Sequence, residues 1–190
     1  MQFLNLNQEF NLSHTLECGQ FFRWEQVGDW YYIVSFGTLI KIRQDGNKLH
    51  YLTKPRRNAE FISHIFRLDD DLDKILVTIN KDDVMNRAIQ KFRGLRLMRQ
   101  EPFECLVSYV CSANSSIPNI KRKLNKISEL FGKKVEMDSH IFYTFPEADE
   151  LASAEVEKLK KNRIGFHSRY MKEISSAIIS SSIDLGALSK

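Results

Sequence analysis

The first 55 residues are short runs of β-branched and aromatic residues cut by turn signals, and from residue 58 the apolar spacing becomes helical. "GQFFRWEQ", "WYYIVSF", "TLIKIRQ" and "KLHYLT" read as strands, with "MQFLNL" as a further one. Val27-Gly28-Asp29, Phe36-Gly37-Thr38 and Gln44-Asp45-Gly46-Asn47 connect them. Connections this short join antiparallel neighbours, so the pattern predicts a meander. Such a sheet has a face to cover, and the helices that follow are its natural cover.

"AEFISHIFRL", "DLDKILVTINK" and "DVMNRAIQKFRG" are predicted helices, the last two starting near Asp residues suited to N-caps. The run Asp69-Asp70-Asp71 lacks the spaced ligands and turn glycine of a calcium loop, and reads as a cap with solvated surface. Pro102 suits the first turn of the next helix. There Phe103, Leu106, Val107 and Val110 form one apolar face, and Cys105, Tyr109 and Cys111 leave the other almost as apolar. A helix apolar nearly all round is expected in the core. Ile117, Ile120, Leu124, Ile127, Leu130 and Phe131 then make a helical stripe ended by Gly132, with Lys121, Arg122, Lys123 and Lys126 mostly off it. Asn114-Ser115-Ser116 is the tip of this helical hairpin.

A second hairpin is expected from "SAEVEKLKKN", capped by Ser153, turning at Gly165 into "FHSRYMKEISSAII". Phe166, Tyr170, Ile174, Ala177 and Ile178 share a face of its second helix. The pattern as a whole predicts an α+β fold: an antiparallel sheet domain with covering helices over 1–88, then a helical domain over 89–190.

Composition adds limits. An apolar content of 43% with 11% aromatics excludes a disordered chain, and a net charge of +4 permits a nucleic-acid partner without demanding one. Distribution says more: from Arg93 to Lys126 there are seven Lys or Arg (93, 96, 99, 121, 122, 123, 126) against two acids, Glu101 and Glu104. Lys158, Lys160, Lys161, Arg163, His167, Arg169 and Lys172 crowd the Gly165 corner. Phosphates are gripped by Lys, Arg, small amide or hydroxyl side chains and helix N-termini, all of which these two corners supply. Cys18, Cys105 and Cys111 form no C-x-x-C pair and read as buried, reduced thiols. The five histidines (14, 50, 64, 140, 167) lack the spacing of a helical metal site. No metal or cofactor is expected. Neither a signal peptide nor an apolar run near 18 residues is present, so a cytoplasmic protein, with the chromosome and away from membranes, is expected.

"LECGQFFRW", "GLRLMRQEPFECLVSYVCSANSSIPNI" and "RIGFHSRYM", in this order and spacing, resemble the 8-oxoguanine DNA glycosylases of the helix-hairpin-helix superfamily, over residues 10 to 180. The resemblance implies a base-excision repair enzyme that flips a damaged base from the duplex, cuts its glycosidic bond and nicks the abasic strand. Its implied partner is double-stranded DNA containing 8-oxoguanine, bound by a monomer. Gly19 falls where the family reads the flipped base with a glycine carbonyl. 8-Oxoguanine offers an N7–H donor where guanine has an acceptor, so one fixed carbonyl attracts the lesion and repels the normal base. Asn114 matches the residue that enters the emptied gap and contacts the orphaned cytosine, and Phe166 matches an aromatic wedge beside it. His167 and Asn119 stand where family members carry arginines, which implies relaxed opposite-base selectivity. Arg169 and Lys121 complete the implied DNA contacts.

The family's catalytic lysine lies in a hairpin with a Gly-x-Gly turn, followed by an aspartate; no Gly-x-Gly occurs here, and none of the lysines matches that motif. No catalytic residue is therefore assigned. The helical register running smoothly to residue 180 points to the N-terminal part of a longer product. Two other readings stay open: an alkylation-repair glycosylase removing 3-methyladenine, against which "CGQFFRW" argues, and a non-catalytic DNA-binding protein, which the missing lysine favours.

Overall fold

The computed structural model describes residues 1–189; Lys190, the last residue of the expected second domain, lies outside them. Contacts group residues 1–33 with 40–99, and 34–39 with 100–190. The grouping changes near residue 99, and residues 34–39, the tip of one strand hairpin, group with the helices.

The first unit is built on β1 (Gln2–Asn5), β2 (Trp24–Val27), β3 (Trp30–Ser35), β4 (Thr38–Asp45) and β5 (Lys48–Lys54), in the order β1-β5-β4-β3-β2. The edges are antiparallel, with Gln2 opposite Tyr51 and Trp24 opposite Ile33. At the β3–β4 turn Phe36 and Gly37 both have left-handed backbones (φ 49° and 63°), the twist a two-residue hairpin needs. Along β5 Leu49, Tyr51 and Thr53 are buried and Leu52 is exposed, so one face is covered.

A helix that was not expected precedes the run "GQFFRWEQ". Leu12–Glu17 forms helix α1, because Asn11 Oδ1 accepts the His14 N–H at 2.9 Å and caps it. Only Trp24–Val27 of "GQFFRWEQ" pairs as a strand. Helices α2 (Ala59–Ile65), α3 (Leu72–Ile79) and α4 (Asp83–Lys91) follow, each with a side-chain cap, from Asn58, Asp71 and Asp82. The buried helical side chains of this unit come mainly from α1 and α2: Leu12, Leu16, Ile62 and Ile65. In α3 only Leu72 is buried, and in α4 no residue is.

The second unit contains α5 (Pro102–Ser112), α6 (Ile117–Phe131), the strand pair β6 (Lys134–Met137) and β7 (His140–Tyr143), then α7 (Ala148–Ser153), α8 (Val156–Lys161) and α9 (His167–Ile179). The strand pair and α7 were not expected. Asp138 and Ser139 make the tight turn with φ 50° and 64°. Ser153 ends α7 instead of capping α8, whose N-cap is Glu155. Gly132 does end α6, but with an extended backbone; a Cβ there would lie 1.9 Å from the Thr144 carbonyl oxygen, so close approach demands the glycine.

Helix α5 packs against α6 and α9, and α7 against α9. It is not buried all round. Phe103, Val107 and Cys111 are in the core, whereas Cys105 is exposed and Tyr109 is 77% exposed. The architecture is α+β. Among the described residues no helix is long and apolar enough to cross a membrane.

Candidate nucleic-acid interface

The α5–α6 hairpin sets the geometry of the second unit's polar tip. Helix α5 ends at Ala113, whose N–H bonds back to the Val110 carbonyl at 3.4 Å, and α6 begins after Ser116. Asn114 turns the chain with φ 51°, a left-handed conformation that asparagine tolerates better than most residues. Its side chain is exposed.

Two buried side chains hold the residues on either side of it. His167, 2% exposed, lies with Nε2 2.9 Å from the Ala113 carbonyl oxygen. An oxygen there requires that Nε2 carry the proton. Nδ1 lies 3.3 Å from the Ile164 carbonyl oxygen and, closer, 3.1 Å from the Lys123 ammonium, from which it accepts; Lys123 Nζ also donates to Ser115 Oγ at 2.8 Å. Lys123 is itself only 8% exposed. Burial, helped by the Arg122 charge, pulls its pKa down from the usual lysine value.

At the other corner Gly165 (φ 75°) leads into α9, and the Gly165 carbonyl accepts the Ser168 hydroxyl at 2.7 Å. Phe166 is 58% exposed, and its ring lies on the His167 imidazole with centroids 3.9 Å apart. Tyr109, Val110, Phe166, Tyr170 and Ile174 line an open groove of about 350 Å³ between α5 and α9. Its exposed aromatics therefore adjoin the asparagine tip. The buried face of α9 is His167, Ser168, Met171 and Ser175, and Phe166 and Tyr170 are exposed.

The basic residues divide by partner. Arg93, Arg96 and Arg99 do not form an open positive patch. Arg99 pairs with Asp69 at 2.6 Å and Asp70 at 2.9 Å, and Arg93 with Glu9 at 3.0 Å. Arg96, 4% exposed, donates to the Arg67 and Asp70 carbonyls and to Gln8 Oε1. These arginines stitch the first unit together. In the second unit Arg122 is exposed, Lys121 is half-buried, and Arg169 pairs with Glu173 at 2.7 Å.

Residues 3–106 match the family model for the N-terminal domain of 8-oxoguanine DNA glycosylase. The chain belongs to this glycosylase family. It is 26% identical over 178 residues to the Arabidopsis thaliana N-glycosylase/DNA lyase OGG1, covering 90% of this chain and 49% of that relative. Its fold superposes on the structure of MBOgg1 in complex with a low-affinity DNA ligand, with TM-score 0.89, 32% identity and coverage of 96% and 64% of the two chains. A similar likeness holds for the Clostridium acetobutylicum 8-oxoguanine glycosylase/lyase in complex with double-stranded DNA containing cytosine opposite 8-oxoG: TM-score 0.87, 28% identity, coverage 98% and 68%. The chain spans about half the length of the curated relative.

As a member of the glycosylase family, the chain carries its expected site residues in two places. Gly19 is in the first unit; Asn114, Asn119, Lys121, Phe166, His167 and Arg169 are in the second. Gly19, at φ 81°, stands just after the last residue of α1 and its cap Cys18, where a left-handed residue ends a helix. Asn119 is exposed on the first turn of α6. His167, which stands where family members carry an arginine, turns its Nε2 to the Ala113 carbonyl. Lys123 is the residue that sequence reasoning missed. Its spacing of three from Ile120 and four from Ile127 was the available signal, since both are buried. The thiols also differ from expectation. Cys111 is buried and its pKa is pushed up to about 12, Cys18 is half-buried and Cys105 exposed.

Proposed function

We propose that this chain is the lesion-recognition part of a DNA glycosylase/lyase that removes 8-oxoguanine from duplex DNA in base-excision repair. The observation that carries the reading is the pairing of an exposed asparagine tip with an exposed aromatic wedge on one buried imidazole. Extruding a base costs unstacking energy, which side chains entering the vacated space offset. Asn114 fills the gap and bonds the orphaned cytosine; Phe166 wedges beside it. Gly19 offers its carbonyl to N7–H of the extruded lesion. Asn119, Lys121, Arg122 and Arg169 act on the phosphate backbone, and the protein works as a monomer in the cytoplasm with the chromosome. The bond-breaking amine is not assigned to any lysine of this chain.

The test is anisotropy of the chain on two duplexes that differ only by an abasic-site analogue opposite cytosine. Asn114→Gly is the probe, because glycine accepts φ 51° and only the side chain is removed. The wild type prefers the abasic duplex, and the variant loses about tenfold of that preference, the equivalent of ~1.4 kcal/mol. Equal affinity of the wild type for both duplexes would overturn the reading.

A further inference from the structure

Asn114 is flanked by two residues that are each held by a side chain from another helix. Ala113 is held through its carbonyl by His167 of α9, and Ser115 through its hydroxyl by Lys123 of α6. The two side chains then bond each other. We infer that Lys123 and His167 are positioning residues: a buried pair that clamps both sides of Asn114 and seats Phe166 at a fixed offset from it. The inference rests on the lesion-recognition role proposed above and deepens it.

Three features argue for this. First, packing alone does not call for a lysine at this position. Its helical neighbours Ile120 and Ile127 are buried and apolar, so a leucine or methionine would fill the space without taking a charge out of water. Second, the ammonium has neutral partners, a hydroxyl and an imidazole nitrogen, so it gives up hydration for direction and not for a strong ion pair. Third, the imidazole has two further faces in use. Its Nε2–H fixes the backbone before Asn114, and its ring plane lies under Phe166. One rigid ring therefore sets the asparagine tip and the wedge relative to each other. Insertion into a duplex gap depends on that offset, since a small misplacement of a positioned group is costly.

Lys123→Met, His167→Phe and His167→Gln separate this from a general role in folding. Methionine keeps the volume and removes the donors. Phenylalanine keeps the stack and removes the ring's polar contacts, while glutamine keeps a donor for Ala113 and an acceptor for Lys123. Hydrogen exchange over residues 109–118 reads the clamp without DNA, and the ratio of abasic to undamaged affinity reads its use. Lys123→Met and His167→Phe are expected to speed exchange at the tip about tenfold, as local opening becomes easier. Both should lower the abasic preference about tenfold, while His167→Gln keeps most of it. The melting temperature of Lys123→Met should move by less than ~4 °C, about 1 kcal/mol for a chain of this size. Unchanged exchange in Lys123→Met overturns the clamp, as does a preference that declines only in step with melting temperature across all three variants. If the wild type shows no abasic preference, the proposed function fails, and the exchange data still decide the clamp.

Discussion

Gly19 has two reasons to be a glycine, and they are separable. Its φ of 81° is a conformation in which a Cβ costs about 1–2 kcal/mol, so Gly19→Ala should lower the melting temperature whatever the function. Asparagine tolerates left-handed geometry, so Gly19→Asn should regain much of that stability while still crowding a base at the carbonyl. If the carbonyl reads N7–H, Gly19→Asn loses about tenfold of the 8-oxoguanine-over-guanine binding preference, the scale of one hydrogen bond. Retained preference would leave Gly19 as the stop of α1 alone. Lys123 gives a pH test at the same scale. Its folded pKa lies below the ordinary value of 10.5, so the folded chain releases that proton before the unfolded chain does. The buried charge thus costs stability in full below the folded pKa, and the cost lifts as pH rises from there toward 10.5. Urea unfolding at about pH 7.5 and about pH 10 should show wild type gaining on Lys123→Met; a loss would reverse the sign.

Among the elements, the α5–α6 hairpin carries the electrostatic prediction. Lys121 and Arg122 lie on α6 beyond the tip, half-buried and exposed respectively. Replacing both with alanine should flatten the log affinity against log salt slope by about 2, near 0.9 for each phosphate no longer neutralised. An unchanged slope would make them ordinary solvated helix positions. The same elements show how far the sequence was legible. Strands β3 to β5 were readable because Gly37 and Gly46 mark their turns, α2 by its apolar spacing, and α3 to α6 because their apolar spacing and Asp or Pro starts agree. Helix α1 lies between two strand-like runs and is only six residues long, and a single capping bond from Asn11 marks its start. The β6–β7 pair was missed because its turn is Asp138-Ser139, without the glycine that usually signals one. Helix α9 was readable as a helix but not by face. It buries Ser168 and Ser175, whose hydroxyls are satisfied by the Gly165 and Met171 carbonyls, and leaves aromatics outside. Hydrophobic spacing by itself does not tell a buried face from a face of exposed aromatics.

On the proposed reading, recognition and bond breaking come apart at the scale of the whole molecule. The chain contains the α+β architecture and the asparagine and aromatic corners, and it spans about half of its curated relative. No lysine in it stands in the family's Gly-x-Gly context. Lys123, whose pKa burial lowers, is held by Ser115 and His167. Incubation with 8-oxoguanine duplex and borohydride should therefore yield no covalent adduct; an adduct would show that a lysine outside that motif attacks the sugar. In the proposed function Asn114 and Phe166 enter the duplex together. Their entry is tested most directly by 2-aminopurine placed beside the orphaned cytosine of an abasic duplex, because its fluorescence rises when stacking is disrupted. Saturating wild-type chain should raise the emission. Asn114→Gly and Phe166→Ala, at concentrations where anisotropy shows them bound, should not. Full binding by the wild type with no change in emission would mean that the two side chains stay outside the base stack.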